Sequence, residues 1–179
     1  AQALDLAALA ARLEGAGEIR TRNAHVLRVV LEGHELTIFP DGRAIVKGTD
    51  ETGVARTLYA RYVEDEVVPY IRAVCGNGGV RVATTGASFG AYHAANTLFR
   101  RPDLFDATIA MSGFYDLGPD YLHGYSDDNC FYNNPAWYLP GLEGRSLDLL
   151  RHACSINIVT GQGAYEAPEA SYALSRILN

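Results

Sequence analysis

Three short apolar runs, Val80–Thr84, Ala107–Met111 and Ile156–Thr160, do most to limit what this chain can fold into. The first is followed by helical spacing over Phe89–Phe99, and the last by helical spacing from Pro168 to Leu178. Short buried strands that alternate with helices cannot pair as hairpins, so they predict a parallel sheet with helical crossovers, an α/β fold. Between the second and third runs, Phe114 to Arg151 is irregular and dense in Tyr, Asn, Asp, Gly and Pro. A long connection with one or two short helices is expected there.

A different period governs the first third. Leu4, Leu6, Leu9 and Leu13 recur at near-helical spacing and stop before Gly15, which predicts a short amphipathic helix. The stretch HVLRVVLEGHELTIFPDGRAIVKGTD reads as three strands, with turns at Glu32-Gly33 and Pro40-Asp41-Gly42, and so as an antiparallel meander. Thr49 or Asp50 can then cap a helix carrying Val54, Leu58 and Tyr62. Pro69 has no N–H and should kink or end that helix, leaving a second helical stretch over Val63–Val74. The expected organisation is a small α+β unit at 1–62 and a truncated α/β domain at 63–179.

Charge narrows the partners. Fifteen Lys and Arg stand against 21 Asp and Glu, a net charge of -6, with no basic stripe to neutralise phosphates, so no nucleic-acid partner is expected. The longest apolar runs fall far below the roughly 18 residues that cross a bilayer, so no membrane partner is expected either. Cys75, Cys130 and Cys154 are odd in number and widely spaced, which supports neither a disulfide framework nor a metal site. Reduced cysteines, a cytoplasmic location and no cofactor are the expectation, with Cys154 read as a small core residue.

The chemistry-bearing stretch is TTGASFGAYHAAN, Thr84 to Asn96, which contains the G-x-S-x-G pattern Gly86-Ala87-Ser88-Phe89-Gly90. A strand before it and a helix after it are the setting a nucleophile elbow requires. The sharp turn needs small flanking residues, a role assigned to Gly86 and Gly90, and it would lift the Ser88 hydroxyl above the sheet. The Phe89 N–H, opening the helix, would donate to an oxyanion. A serine hydroxyl also needs a base, ordinarily a histidine oriented by an acid. His93 lies five residues after Ser88, about 140° round a helix at 3.6 residues per turn, and is read as a packing residue. His123 sits in the irregular YLHGY stretch.

From about Val63 onward the chain resembles the α/β-hydrolase superfamily, close to esterases of the esterase D type. The residues that carry this are EVVPYIR, TTGASFGAYHAAN, RRPDLFDATIAMSGFYDL, FYNNPAWYLP and NIVTGQGAYE. The resemblance implies a partial hydrolase-type parallel sheet, a small ester substrate and an acyl-enzyme route. It makes Ser88 the nucleophile, Phe89 the oxyanion donor and Glu166 the acid, although Glu166 also reads as a first-turn helix glutamate favoured by the helix dipole. The superfamily order is serine, acid, histidine. Here His25, His34, His93, His123 and His152 all precede Glu166, and only one helix follows it. The strand before Ser88 would also lack its usual neighbour, an open edge to be covered by the meander or by a second chain in a homo-oligomer.

Up to about Tyr62, LTIFPDGRAIVKGTD and ARTLYARYV resemble the small C-terminal portion of bacterial adenylating enzymes that activate sulfur-carrier proteins. Their glycine-rich nucleotide loop has no counterpart here, so ATP binding does not follow. The sequence therefore reads as an esterase-like serine hydrolase domain that is catalytically incomplete for want of a base. The alternatives are a non-catalytic binding or structural module that keeps the hydrolase-like fold, and a hybrid or fragment of two parents.

Overall fold

Strand and helix boundaries follow from a few side chains that close the backbone's hydrogen bonds. The computed structural model describes residues 4–41, 43–49 and 52–179, so Gly42 of the second expected turn and Asp50 of the expected cap lie outside the described residues. The backbone divides into two compact units, Ala1–Val80 and Arg81–Asn179.

In the first unit, α1 (Leu6–Leu13) begins where the Asp5 carboxylate accepts from the Ala7 and Ala8 N–H groups, as an N-cap should. Its apolar stripe, Leu6, Leu9, Ala10 and Leu13, is buried. The stripe belongs to one core with Leu27, Val29, Leu36, Ile38, Leu58 and Tyr62. The meander has four strands: β1 (Glu18–Arg22), β2 (Leu27–Leu31), β3 (His34–Ile38) and β4 (Ala44–Lys47), paired in sequence order. The expectation of three missed β1, whose EIRTR sequence is mostly polar and whose pairing shifts register between Ile19 and Thr21. The Glu32-Gly33 turn has φ of 50° and 83°, the two left-handed residues a type I′ hairpin needs, and Leu31 pairs with His34. Helix α2 (Thr52–Arg61) continues as a π-helical turn, Tyr62–Val67, into α3 (Val68–Val74). The Val68 N–H reaches back five residues to the Val63 carbonyl, a wider turn placed directly before Pro69, which cannot donate.

In the second unit, β5 (Ala83–Ala87), β6 (Ala107–Met111) and β7 (Ser155–Val159) form a parallel sheet in that order. The fold is α/β here, a three-strand parallel sheet with helices packed on it, and α+β in the preceding unit, which is built on the four-strand meander. The strand expected at Val80–Thr84 begins three residues later. Asp106 explains the shift: its carboxylate accepts from the Val82 N–H at 2.8 Å and its own N–H donates to the Val82 carbonyl, so Val82 is held outside the ladder. The strand then runs to Ala87, directly before Ser88.

Helix α4 (Phe89–Arg100) lies against β5 and β6, burying Ala91, Tyr92, Ala94, Ala95, Leu98 and Phe99. The in-register rows Thr85, Ile109, Asn157 and Ala87, Met111, Val159 mark the other face, and all six side chains are exposed. Among the described residues β5 pairs only with β6, so it is a sheet edge, and the meander strands pair only with one another.

The irregular stretch holds a π-helical turn, Gly118–Leu122, short helices α5 (Asp128–Tyr132) and α6 (Pro135–Tyr138), and α7 (Gly144–His152), before α8 (Pro168–Leu178) closes the chain. Its order comes from polar anchors on α4. The Tyr92 hydroxyl donates to the Asn133 carbonyl at 2.6 Å, Arg100 donates to the Asn133 side chain at 2.9 Å, and Tyr138 donates to Asn96 at 2.9 Å.

Among the described residues burial pushes four phenols upward: Tyr59, Tyr115 to about 12 from an ordinary 10, and Tyr62 and Tyr138 further. A raised folded-state pKa gives stability that is whole below pH 10 and fades as pH climbs through 12, because unfolded tyrosines lose their protons first. Alkaline titration by tyrosinate absorbance should therefore show a late class of phenols that ionise together with unfolding. A single uniform step near pH 10, with the fold intact, would contradict this burial.

Candidate active site

Ser88 occupies the one residue between a parallel strand and a long helix. Its backbone has φ 55° and ψ −122°, a left-handed conformation that L side chains rarely adopt. The strand end fixes one side of it, since the Ser88 N–H donates to the Met111 carbonyl at 2.9 Å. The helix fixes the other, since the Ser88 carbonyl accepts from Ala91 at 3.0 Å. The side chain does not cap the helix and the residue is exposed, so the hydroxyl stands clear at the carboxyl end of the sheet.

The two motif glycines do different work. A methyl on Gly86 would collide with the Gly90 carbonyl and come within 2.9 Å of the Ala91 nitrogen, whereas one on Gly90 would meet nothing within 4 Å. Only Gly86 is required by space, which corrects the expectation that both make room. Phe89 is the first helical residue, so its N–H has no partner in the helix, and no described backbone carbonyl outside it accepts from Phe89.

Glu166 lies in the loop after β7, half-buried, with its N–H donating to the Gly163 carbonyl at 3.1 Å. Its carboxylate folds back over Gly161, 3.0 Å from where a Cβ would stand there. Helix α8 starts at Pro168 with Ala167 as its cap, and its first-turn acid is Glu169, so the helix-dipole reading of Glu166 is not realised. His93 packs its ring against Phe89 at 4.7 Å and Tyr92 at 4.8 Å, and His123 is exposed at the end of the π-helical turn with φ 46°. Among the described residues, no side chain hydrogen-bonds the Ser88 hydroxyl.

A family model described as "Putative esterase" matches residues 36–164. The chain belongs to this esterase family. A solved ferulic acid esterase is similar at 21% identity with a TM-score of 0.52, covering 67% of this chain and 47% of the neighbour, a likeness that bears on fold. The chain thus spans less than half the length of that esterase. No curated protein matches it. The esterase match includes residues 36–62, within the segment likened to sulfur-carrier-activating enzymes, and that likeness finds no support in these comparisons.

For a member of the esterase family, two further features of this edge of the sheet were not foreseen from the sequence. Ser112 follows β6 as Ser88 follows β5, with φ 49° and its N–H donating to the Val159 carbonyl at 2.7 Å. Two left-handed serines therefore stand at the ends of neighbouring strands. The Ser112-Gly113 pair after an apolar run was the available sign. The second feature is a cluster of rings around Phe89, drawn from Tyr92, Phe114 and Tyr121. Residue spacing cannot reveal it, because Tyr121 and Phe89 meet only through the fold. No helix among the described residues is long and apolar enough to cross a membrane.

Proposed function

We propose that this chain carries the nucleophile-bearing part of a serine esterase. In this reading the Ser88 oxygen attacks the carbonyl carbon of a small ester, and the negative charge that develops on the carbonyl oxygen is met by the Phe89 N–H. Collapse of that intermediate breaks the bond to the alkoxy oxygen, which takes up the proton lost by Ser88 and leaves as the alcohol, and the acyl group left on Ser88 is then removed by water as the free acid. Glu166, on the loop after β7, is the acid that would orient the proton acceptor. The observation that carries the reading is the left-handed Ser88 between a parallel strand and α4, beside a helix-opening N–H with no partner among the described residues. Membership of the esterase family supports the same substrate class.

A second reading, a module that keeps the fold without turnover, is favoured by a specific observation. No described side chain hydrogen-bonds the Ser88 hydroxyl, so none among the described residues stands in place to take its proton. The two readings separate with p-nitrophenyl acetate. Steady release of p-nitrophenol that falls to background in Ser88→Ala supports the esterase. A stoichiometric burst without steady turnover supports a nucleophile that acylates and stalls. Identical traces from wild type and Ser88→Ala reject the esterase reading.

A further inference from the structure

The carboxyl ends of β5, β6 and β7 carry three polar side chains in strand order: Ser88 directly after β5, Ser112 directly after β6, and Glu166 on the loop after β7. Contacts tie each to the next. The Ser88 N–H donates to the carbonyl of Met111, the residue before Ser112, at 2.9 Å. On the other side of Ser112, a Cβ on Gly113 would stand 2.8 Å from the Ala91 Cβ, so this corner is pressed onto the first turn of α4. Ser112 is therefore held beside Ser88 at two points. Its own N–H donates to the Val159 carbonyl at 2.7 Å, and two residues beyond Val159 the Glu166 carboxylate lies over Gly161.

Neighbouring strands run about 4.8 Å apart, so serines at matching positions on β5 and β6 are within side-chain reach, whereas two strands, about 10 Å, exceed a hydrogen bond. Ser88 and the end of β7 are two strands apart, and Ser112 fills the place between them. Ser112 keeps φ at 49°, a backbone that glycine would hold with less strain. What serine adds there is a hydroxyl, half-buried and with no hydrogen-bond partner among the described residues.

We propose that Ser112 is a catalytic residue that relays the proton between Ser88 and Glu166. As the Ser88 oxygen bonds to the ester carbonyl carbon, its proton passes to the Ser112 oxygen, and the Ser112 proton passes to the Glu166 carboxylate. When the intermediate collapses, Glu166 returns a proton to Ser112, and Ser112 gives its own to the departing alkoxy oxygen. Rotation about χ1 between staggered wells brings the two hydroxyls together. A carboxylate is a weaker base than an imidazole, so this route favours esters with good leaving groups. The relay rests on the esterase reading for the roles of Ser88 and Glu166.

The probe is p-nitrophenyl acetate, whose leaving group departs without a proton, so its first release reports proton transfer out of Ser88. Ser112→Gly removes the hydroxyl at a φ that glycine accepts, so its denaturation midpoint should stay close to that of wild type or above it. Its acylation rate should fall about 100-fold or more, the range of general acid–base catalysis. Glu166→Gln should lose as much, and the double variant no more than either, because residues that act as a unit are not additive. In H₂O/D₂O mixtures the wild-type rate should curve with deuterium content, as two protons in flight require, and the Ser112→Gly rate should be linear.

Wild-type acylation rates in Ser112→Gly or Glu166→Gln, losses that multiply in the double variant, or a linear wild-type response to deuterium overturn the relay and leave Ser88 as the nucleophile. Release that is the same in wild type and Ser88→Ala removes the esterase reading, and the relay with it.

Discussion

Gly86→Ala should destabilise residues 81–179 by about 3 kcal/mol, the upper range for forcing a methyl into a packed site, and should abolish any reactivity of Ser88. The atoms a methyl would strike are the Gly90 carbonyl and the Ala91 nitrogen. These are backbone of the first turn of α4, so relief requires moving the helix away from the strand end and undoing the left-handed turn at Ser88. Gly90→Ala supplies the internal comparison. Its methyl meets nothing within 4 Å and its φ is not in the left-handed region, so the ordinary gain of replacing a helical glycine, up to about 1 kcal/mol, is expected. Denaturant midpoints of the two variants should move in opposite directions. A wild-type midpoint for Gly86→Ala would mean that strand and helix do not approach as described.

Tyr92→Ala should be the other severe substitution, at roughly 3–5 kcal/mol for a fully buried aromatic cut back to a methyl. Tyr92 joins two parts of the second unit: its ring supports Phe114, and its hydroxyl donates to the Asn133 carbonyl. Removing it leaves a cavity under the ring cluster and an unanswered carbonyl at a residue that is itself buried. Tyr92→Phe keeps the ring and loses only the hydrogen bond, a change of about 1 kcal/mol. Chemical denaturation of both variants checks the pair, and near-equal losses would show that the hydroxyl, not the ring, carries the contact.

What the sequence made legible is what local chemistry decides. The run Ala107–Met111 and the helix Pro168–Leu178 appear with the expected bounds, and Glu32-Gly33 makes the expected turn. Pattern reading falls short where a distant group intervenes. Val80, Val82 and Thr84 suggest a strand, but the Asp106 carboxylate takes the Val82 N–H and delays the ladder to Ala83. Helix α7 hides in a stretch read as mostly irregular, its buried side reduced to Leu150. At the site, the G-x-S-x-G pattern marked the strand–turn–helix corner at Ser88, yet which glycine is needed depends on how closely α4 approaches β5. The left-handed Ser112 and the ring cluster are products of strand adjacency and of the π-helical turn, and neither leaves a periodic trace.

The central claim is that the fold mounts Ser88 as a nucleophile. Its most direct test is intact-mass analysis of the protein incubated with a fluorophosphonate, followed by peptide mapping of the adduct. The account predicts a single phosphonyl adduct on the peptide containing Ser88, absent in both Ser88→Ala and Gly86→Ala. An unmodified protein at high probe concentration, or an adduct on a different hydroxyl with Ser88 untouched, would contradict it.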